Sequence, residues 1–450
     1  MRYYKTTFIW VMILTAVAGY SYIDWERTIA EKQRKEEESR LFKFESTQVA
    51  AIVLEKEGSL IEIERWEDGW RITKPLNAKA DSGAVEKFLR NVTASKNDSE
   101  YVMDPNPSAE RLLEFGLANP LVTLTMKVGQ DLTHHTVFFG KRGPTMGIAF
   151  ARLKGQEPVY RVLADARSEA DKDVYYFRDK RILRFNPVMV DQLAMSRDGK
   201  DIRLKLPGDG RWAIEKPIKA RADHNRVFEL MGMFFNSEVK EFVDETRINV
   251  AKYGLDKPAA KLSLWQAGDS EETVSISIGA RNPEKRGYYV SMSDRENVFL
   301  VEEDLVNAIP RDAADLRSRN VFYMETERLT RIEIHHRGKK QMLVRDQEKE
   351  WHMDSLEGEK IDYNQVKEFF DALASIRVRD FVTDNPKNLM EYGLYPPFAQ
   401  ILLFEDSSIE PMYLSLGGRT PAGYIYAQSG AEKSILAVDE GVKGILNIFM

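Results

Sequence analysis

Three arginines at one repeated position have a type and spacing suited to binding chemistry. Each follows a glycine by two residues, in Gly140-Lys141-Arg142, Gly279-Ala280-Arg281 and Gly417-Gly418-Arg419. A guanidinium presents a planar fork of donors that matches a carboxylate or a phosphate. Arg142, Arg281 and Arg419 are therefore candidate contacts for an anionic partner. Their recurrence with the fold favours the alternative, an intramolecular pair that braces a turn.

Residues that could perform catalysis or bind a metal form no recognisable pattern. The chain has no cysteine, which excludes thiolate ligands and cysteine nucleophiles. Neighbouring histidines, in His134-His135 and His335-His336, point to opposite faces of a strand. Glu302-Glu303-Asp304 is typical of a helix start, and the glycines from Gly417 to Gly423 lack the order of a phosphate loop. We therefore predict no catalytic residue, no metal site and no cofactor.

A tandem repeat organises the chain. The phrase Gly-Trp-x-Ile-x-Lys-Pro at 69–75 returns at 210–217 with one residue inserted, and fades at Trp351. A Gly-Leu pair follows in each copy, at Gly116, Gly254 and Gly393. These glycines and the tryptophans Trp70, Trp212 and Trp351 are interpreted as structural anchors, because a tryptophan that repeats beside a strand is more often a core residue than an exposed stacking platform. The period near 139 residues predicts three repeats, over 46–184, 185–323 and a truncated 324–450.

Within each repeat the periodicity indicates an α+β fold. Residues 49–65 alternate as two strands around Glu57-Gly58, and the tryptophan phrase begins a third. Asp81, Asp223 and Asp362 then precede stripes of apolar residues at helical spacing. A short helix leads into the Gly-Leu turn, and further strands follow. The sequence thus predicts three antiparallel-rich sheets with packed helices, without fixing the strand order.

The amino-terminal segment predicts a transmembrane helix. Thr6 to Ile23 contains no charged residue and rises about 27 Å as a helix, close to the hydrocarbon thickness of a bilayer. A cleaved signal peptide is the alternative, with Ala16-Val17-Ala18 as the cleavage site before Gly19. The interpretation gives a cytoplasmic head at 1–5, a single span at 6–23 and a charged membrane-proximal helix at 24–45. The remaining chain is expected outside the cytoplasm.

The order of these features resembles a domain-of-unknown-function family of membrane-anchored bacterial proteins. Many members carry the same Gly-Trp-x-Ile-x-Lys-Pro and Tyr-Gly-Leu phrases, and they are often associated with gliding-motility-type ABC transporter systems. The resemblance covers nearly the whole chain. It implies an auxiliary component at the bacterial inner membrane, with no catalytic residues to transfer. The third repeat departs from the pattern by lacking the Lys-Pro.

These observations together favour a non-enzymatic binding or scaffold protein. A net charge of −6 disfavours a dedicated nucleic-acid binder, so the expected partners are the membrane, through Thr6 to Ile23, and proteins of a transport or envelope assembly. The first alternative is a protein that binds envelope glycan or peptidoglycan. The second is a degenerate hydrolase. Exposed aromatic side chains in a groove would favour the glycan binder, and a broad apolar patch would favour the scaffold.

Overall fold

The computed structural model describes residues 2–449, except for positions 96, 144–146, 209, 355–359, 407–409 and 431–432. The side chains of residues 2–7, 9, 11, 16, 35–38 and 97–103 also lie outside the described part. The chain divides into two compact units, Met1–Lys180 and Arg181–Met450. The first unit contains the first repeat, and the second unit contains the second and third repeats.

The first unit begins with a long helix, α1 (Arg2–Ser39), which joins the apolar segment and the charged segment without a break. No helix among the described residues has both the length and the hydropathy of a membrane span. The structure therefore does not support the predicted transmembrane helix at 6–23. Five positions of that segment, Thr6, Thr7, Ile9, Val11 and Ala16, have side chains outside the described part.

The first repeat forms a nine-stranded antiparallel sheet. Its strands are β1 (Val49–Lys56), β2 (Ser59–Trp66), β3 (Gly69–Lys74), β4 (Ala78–Lys79), β5 (Asn97–Asp104), β6 (Val122–Val128), β7 (Thr133–Arg142), β8 (Ile148–Leu153) and β9 (Val159–Leu163). Their order across the sheet is β4-β3-β2-β1-β6-β7-β8-β9-β5. The helices of this repeat are α2 (Ser82–Thr93), α3 (Ala109–Phe115), α4 (Ala164–Ala170) and α5 (Val174–Phe177).

The second repeat forms another nine-stranded sheet. Its strands are β10 (Val190–Arg197), β11 (Lys200–Lys205), β12 (Ala213–Lys216), β13 (Ala220–Arg221), β14 (Glu241–Asp244), β15 (Ala260–Gln266), β16 (Val274–Asn282), β17 (Gly287–Met292) and β18 (Val298–Glu302). The order β13-β12-β11-β10-β15-β16-β17-β18-β14 is that of the first sheet. The α-helices of this repeat are α6 (His224–Asn236) and α7 (Glu303–Asn307).

The third repeat has eight strands in the described residues. They are β19 (Leu329–His336), β20 (Lys339–Arg345), β21 (Trp351–Met353), β22 (Val378–Thr383), β23 (Ala399–Glu405), β24 (Met412–Arg419), β25 (Ile425–Ser429) and β26 (Ile435–Val438), with helices α8 (Tyr363–Ser375) and α9 (Val442–Ile445). The order β21-β20-β19-β23-β24-β25-β26-β22 repeats the pattern, and a single bridge between His352 and Lys360 takes the place of β4 and β13. The predicted α+β class with three antiparallel sheets is confirmed.

One helix packs on the core of each sheet, as the sequence predicts. The carboxylates of Asp81, Asp223 and Asp362 accept hydrogen bonds from backbone amides in the first turn of α2, α6 and α8. The predicted apolar stripes are buried: Val85, Phe88, Leu89 and Val92 in α2, Val227, Leu230, Met231 and Phe234 in α6, and Val366, Phe369, Phe370 and Leu373 in α8. A short helix, or a 3-10 turn at Val250–Tyr253 and Leu389–Tyr392, then leads to the Gly-Leu turn.

Candidate functional site

The three candidate arginines lie in three different sheets, and each contacts a residue of its own repeat. Arg281 Nε donates to Glu303 Oε1 at 2.7 Å, and Arg419 Nη2 donates to Glu440 Oε2 at 2.6 Å. Arg142 Nη2 lies 3.3 Å from Ser168 Oγ. In each repeat the chain forms two more strands after the strand that carries the arginine, and the partner residue follows the second of them. Each of the three side chains is therefore engaged within its own repeat.

The contacts of Arg281 and Arg419 shift the pKa values of the paired groups. The hydrogen bond from Arg281 to Glu303 raises the pKa of the guanidinium above its ordinary value. The pKa of Glu440 is lowered, first by the hydrogen bond from Lys443 and then by the charge of Arg419. The Arg281 and Arg419 side chains are still 50% and 63% exposed. Any second anion that either guanidinium contacts would therefore be bound at a solvent-exposed position.

The repeated glycines allow a close contact beside these arginines. Gly116, Gly254 and Gly393 adopt left-handed backbone angles, with φ of 70°, 66° and 66°, and they end the short helix or turn. A methyl group at Gly140, Gly279 or Gly417 would lie 2.2 Å from the carbonyl oxygen of the residue before the turn glycine. The Gly-Leu turn thus packs directly on the strand two residues before the arginine.

The three repeated tryptophans are all buried. Trp70, Trp212 and Trp351 are 1%, 2% and 6% exposed, and each belongs to the hydrophobic core of its sheet. Trp66, by contrast, is 50% exposed and stacks with Arg71, whose guanidinium carbon lies 4.6 Å from the ring centre. The repeated indoles are therefore not available as stacking platforms.

The histidine pairs behave as strand residues. His135 packs on the Phe44 ring at 4.6 Å, and His336 packs on Phe398 at 5.2 Å. His335 Nε2 lies 3.2 Å from Glu333 Oε2. Among the described residues, no group of three or more His, Asp or Glu side chains is placed to hold a metal ion.

The acidic run Glu302-Glu303-Asp304 and the loop from Gly417 to Gly423 also make local contacts. Glu303 and Asp304 lie in the first turn of α7, where Glu303 pairs with Arg281. Glu302 pairs with Lys240 at 2.8 Å. In the loop from Gly417 to Gly423, the Thr420 hydroxyl accepts a hydrogen bond from the Tyr424 amide, as in a turn.

Glu333 is the centre of a polar cluster on the third sheet. Its carboxylate lies 3.2 Å from Arg331 Nε and 3.0 Å from Lys340 Nζ, in addition to the contact with His335. Burial alone raises the pKa of Glu333, but the hydrogen bonds from Lys340 and His335 and the charges of Lys340 and Arg331 outweigh it and lower the pKa. Three basic side chains thus surround a carboxylate whose side chain is 10% exposed.

A groove in the second repeat was not predicted from the sequence. It encloses about 700 Å³ beside α6, the end of α7 and the residues that follow α7. Leu230, Met233 and Ile309 provide apolar lining, and Arg226, Arg311 and Arg319 provide basic lining. The sequence signal that could have indicated it is Met233, which is exposed on α6, whereas the equivalent positions of α2 and α8 hold Asn91 and Ala372.

Arg317 connects the second and third repeats inside the second unit. It is 3% exposed, and its Nη1 and Nη2 atoms donate to Asp384 Oδ1 at 2.6 Å and Ser434 Oγ at 2.7 Å. The guanidinium carbon also lies 4.0 Å from the centre of the Phe381 ring. In the sequence, Leu316-Arg317 corresponds to Phe177-Arg178 of the first repeat, but this correspondence gives no indication of the contact.

Comparison with known families accounts for the repeats. The model of the family described as a domain of unknown function, DUF4340, matches residues 70–246, 212–383 and 351–447. These three matches cover most of the chain, and each begins at one of the buried tryptophans. The chain belongs to the DUF4340 family. Each of the first two matches extends past the tryptophan where the next begins, so the family model covers parts of two consecutive sheets.

Other comparisons add no function. No curated protein matches the chain. Among solved structures, the DNA polymerase III subunit beta sliding clamp DnaN from Bartonella birtlesii LL-WM9 aligns over 87% of this chain and 91% of its own, with 10% sequence identity and a TM-score of 0.13. That TM-score supports no argument about fold or function.

Proposed function

We propose that this DUF4340 protein is a non-enzymatic scaffold that is anchored in the bacterial inner membrane and acts outside the cytoplasm. In this role it is an accessory component of an ABC-type transport or envelope assembly. The observation that most supports a binding role is that the repeated residues serve to stabilise the fold. The repeated tryptophans, the turn glycines and the arginines Arg142, Arg281 and Arg419 make contacts within their own repeats.

Repetition of one fold is suited to presenting surfaces. Three sheets with one strand pattern, each with its own apolar core, place different side chains at equivalent exposed positions. A protein of this kind can bind several partners, or one extended partner, by its surface chemistry. An enzyme would instead need reacting groups that converge in one pocket.

The membrane part of the proposal depends on the uncharged segment from Thr6 to Ile23. Aromatic residues lie toward its two ends, with Trp10 near one end and Tyr20, Tyr22 and Trp25 near the other, a distribution typical of the two interfaces of a bilayer. Protease added to spheroplasts should digest the repeats while the chain stays in the membrane fraction. Protection of the repeats, or a mature chain that begins at Gly19, would contradict this placement.

Crosslinked co-purification from native membranes tests the proposed function directly. We expect the tagged full chain, at its native expression level, to recover membrane transport proteins in a constant ratio. The same tag on an unrelated periplasmic protein with one membrane anchor serves as the control. Recovery of the chain alone, after crosslinking, would reject the scaffold role.

Binding to envelope glycan is the second candidate, and exposed Trp66 is the observation that favours it. Its ring lies beside a shallow depression lined by Arg65, Glu67 and Asp68. Co-sedimentation with purified peptidoglycan, compared between the wild type and Trp66→Ala, distinguishes the candidates. Loss of sedimentation in the variant would support glycan binding, and no sedimentation of the wild type would exclude it.

A further inference from the structure

A short segment that follows the last helix closes one edge of the first sheet. The amide of Asp81 donates to the carbonyl oxygen of Phe177 at 2.8 Å. The amide of Asp179 donates in return to the carbonyl oxygen of Lys79 at 3.0 Å, and the two bonds flank one antiparallel bridge. The segment therefore pairs with the edge as an added antiparallel strand does.

The second sheet is closed in the same way. The amide of Asp223 donates to the carbonyl oxygen of Leu316 at 2.7 Å. The amide of Ser318 donates to the carbonyl oxygen of Arg221 at 2.9 Å, again around one antiparallel bridge. Residues 177–179 and 316–318 are called the closing segments below.

Each closing segment also places a large apolar side chain in the core of its repeat. Phe177 is fully buried, with its ring centre 5.1 Å from that of Phe88 in α2, and Leu316 is 3% exposed in the second core. Arg317, the next residue, makes its side-chain hydrogen bonds to the third repeat instead. Closure of the edge itself therefore uses two backbone hydrogen bonds and one apolar side chain.

The equivalent edge of the third sheet is formed but unpaired. The amide of Ile361 donates to the carbonyl oxygen of Trp351 at 2.8 Å, as the equivalent alanines do beside Trp70 and Trp212. In the described part of the chain, nothing pairs with the amide of Asp362 or with the carbonyl oxygen of Lys360. An edge with a free donor and a free acceptor is a template for a further strand.

The core next to this edge is more accessible than in the other repeats. Trp351 and Met353 lie on β21, beside the edge, and the Trp351 ring lies 6.0 Å from that of Phe370. These three residues are 6%, 8% and 9% exposed. Their counterparts are 0–4% exposed: Trp70, Ile72 and Leu89 in the first repeat, and Trp212, Ile214 and Met231 in the second.

Phe449 fills this region only in part. Its ring centre lies 5.0 Å from that of Phe369, which is the counterpart of Phe88. It remains partly exposed, and its carbonyl oxygen accepts from Gln341 on β20 rather than from the edge. Tyr363, directly after the edge, adds an aromatic side chain that is 72% exposed.

We infer that the edge at 360–362 is a docking site for an extended segment of a partner protein, which adds to the third sheet as the closing segments add to the first two. The partner segment accepts a hydrogen bond from the Asp362 amide, donates one to the Lys360 carbonyl oxygen, and turns a leucine or aromatic side chain toward the core. In such strand addition, backbone bonds give affinity and the side chain gives specificity. This assignment rests on the proposed scaffold function and gives the scaffold one defined binding surface.

A second copy of the chain is a poorer match for the edge. Both of its closing segments are already paired and buried within their own repeats. Before the first repeat, Leu41 corresponds to Ile182, because the amide of each donates to the residue fourteen positions after the capping aspartate. Five residues earlier stand Glu36 and Phe177, so the corresponding place before the first repeat holds an acid of α1 and no large apolar side chain.

A labelled peptide of residues 313–320, which contains the second closing segment, is the probe. We expect the intact chain to bind it in fluorescence anisotropy. Leu316→Ser in the peptide, or N-methylation of its Ser318 amide, should weaken binding about tenfold or more. N-methylation of its Arg317 amide is the matched control, since that amide does not pair with the edge in the second repeat. No binding of the unmodified peptide, or equal effects of the two methylations, would overturn the proposal.

Two substitutions of Asp362 separate the edge from the cap of α8. Asp362→Ala and Asp362→Pro both remove the capping carboxylate, but only proline removes the amide, and the φ of −60° at this residue suits proline. The peptide should bind Asp362→Ala at least about tenfold more tightly than Asp362→Pro. Equal binding by the two variants would refute the site.

Melting temperatures check that the edge is open in the free chain. Asp362→Pro and Asp362→Ala should melt alike, because the Asp362 amide has no partner to lose among the described residues. Asp223→Pro should melt below Asp223→Ala, since it breaks the bond to Leu316. A lower melting temperature of Asp362→Pro than of Asp362→Ala, or self-association that only Asp362→Pro abolishes, would contradict a site for a partner protein.

Co-purification from membranes distinguishes the docking site from the proposed function. We expect Asp362→Ala to recover the membrane partners and Asp362→Pro to lose at least one of them. If both recover the same partners, the docking site is wrong and the scaffold role stands. If the wild type recovers no partner, the scaffold role fails even where the edge binds the peptide.

Discussion

At the scale of single residues, the buried tryptophans have the largest expected effect on stability. Trp212→Ala should lower the free energy of unfolding of the second unit by about 3–5 kcal/mol, because it empties a large site in a closed core. Trp66→Ala is the control, since that indole is half exposed. Urea unfolding followed by circular dichroism measures both. Equal, small changes in the two variants would contradict the assignment of Trp212 as a core residue.

The repeated arginines should contribute little to stability individually. Arg281→Ala removes an exposed pair with Glu303, so we expect the melting temperature to stay close to that of the wild type. The triple change of Arg142, Arg281 and Arg419 to Ala should also leave partner capture from membranes intact. Capture that disappears in a folded triple variant would instead assign these arginines to an anionic partner.

Glu333 should make stability depend on pH. Because its folded pKa is lowered, its ionised form stabilises the fold above the ordinary pKa, and this contribution is lost as the pH falls through the folded pKa. Glu333→Gln should therefore be less stable than the wild type near neutral pH, and the difference should shrink below about pH 4. Chemical unfolding at the two pH values measures it. A difference that does not change with pH would show that ionisation of Glu333 does not contribute.

At the scale of elements, the contact between the Gly-Leu turn and its strand is the most restrictive. Gly279→Ala would bring a methyl group against the carbonyl oxygen of Tyr253, and the backbone can yield only at the expense of the sheet. We expect a loss of about 1–3 kcal/mol or more. Gly232→Ala in α6 is the matched control, since its nearest neighbour is 3.9 Å away and alanine favours a helix by about 1 kcal/mol. Changes of the same sign in both variants would contradict this account.

The elements themselves were largely predictable, whereas their arrangement was not. The turn at Glu57-Gly58, the capping aspartates and the apolar stripes of the helices follow local rules, and the structure has all of them where the sequence places them. The pairing of β1 with β6 joins segments that are separated in the chain by four strands and two helices, so no local pattern encodes it. The groove was missed for a similar reason, because residues around 226–233 and 307–319 meet only in three dimensions.

At the scale of the whole molecule, the second and third repeats share one unit, which the period alone does not indicate. Asp384→Ala would remove the carboxylate that pairs with the buried Arg317 guanidinium at 2.6 Å. We expect a loss of about 2–3 kcal/mol, less than for a fully buried pair because Asp384 is partly exposed. Hydrogen exchange should then show the two sheets opening at different free energies. The control is Asp439→Ala, which removes an exposed partner of Arg379.

A wild-type-like exchange pattern in Asp384→Ala would show that Arg317 does not couple the repeats. Separate opening of the two sheets already in the wild type would show that the unit is not cooperative.

The position of the first strand in each sheet also affects how the chain reaches its native state. Val49 pairs with Val128, Val190 with Gln266, and Leu329 with Glu405, so each sheet is completed only when segments more than seventy residues apart meet. Closing loops of that length makes folding slow. Because the three repeats have similar strands, a strand of one repeat can also pair incorrectly in the sheet of another. Synthesis from the amino terminus lets an earlier repeat complete its sheet before the competing strands of a later one appear. Refolding of the whole chain from denaturant loses that order, so strand-swapped species should accumulate there and not during synthesis.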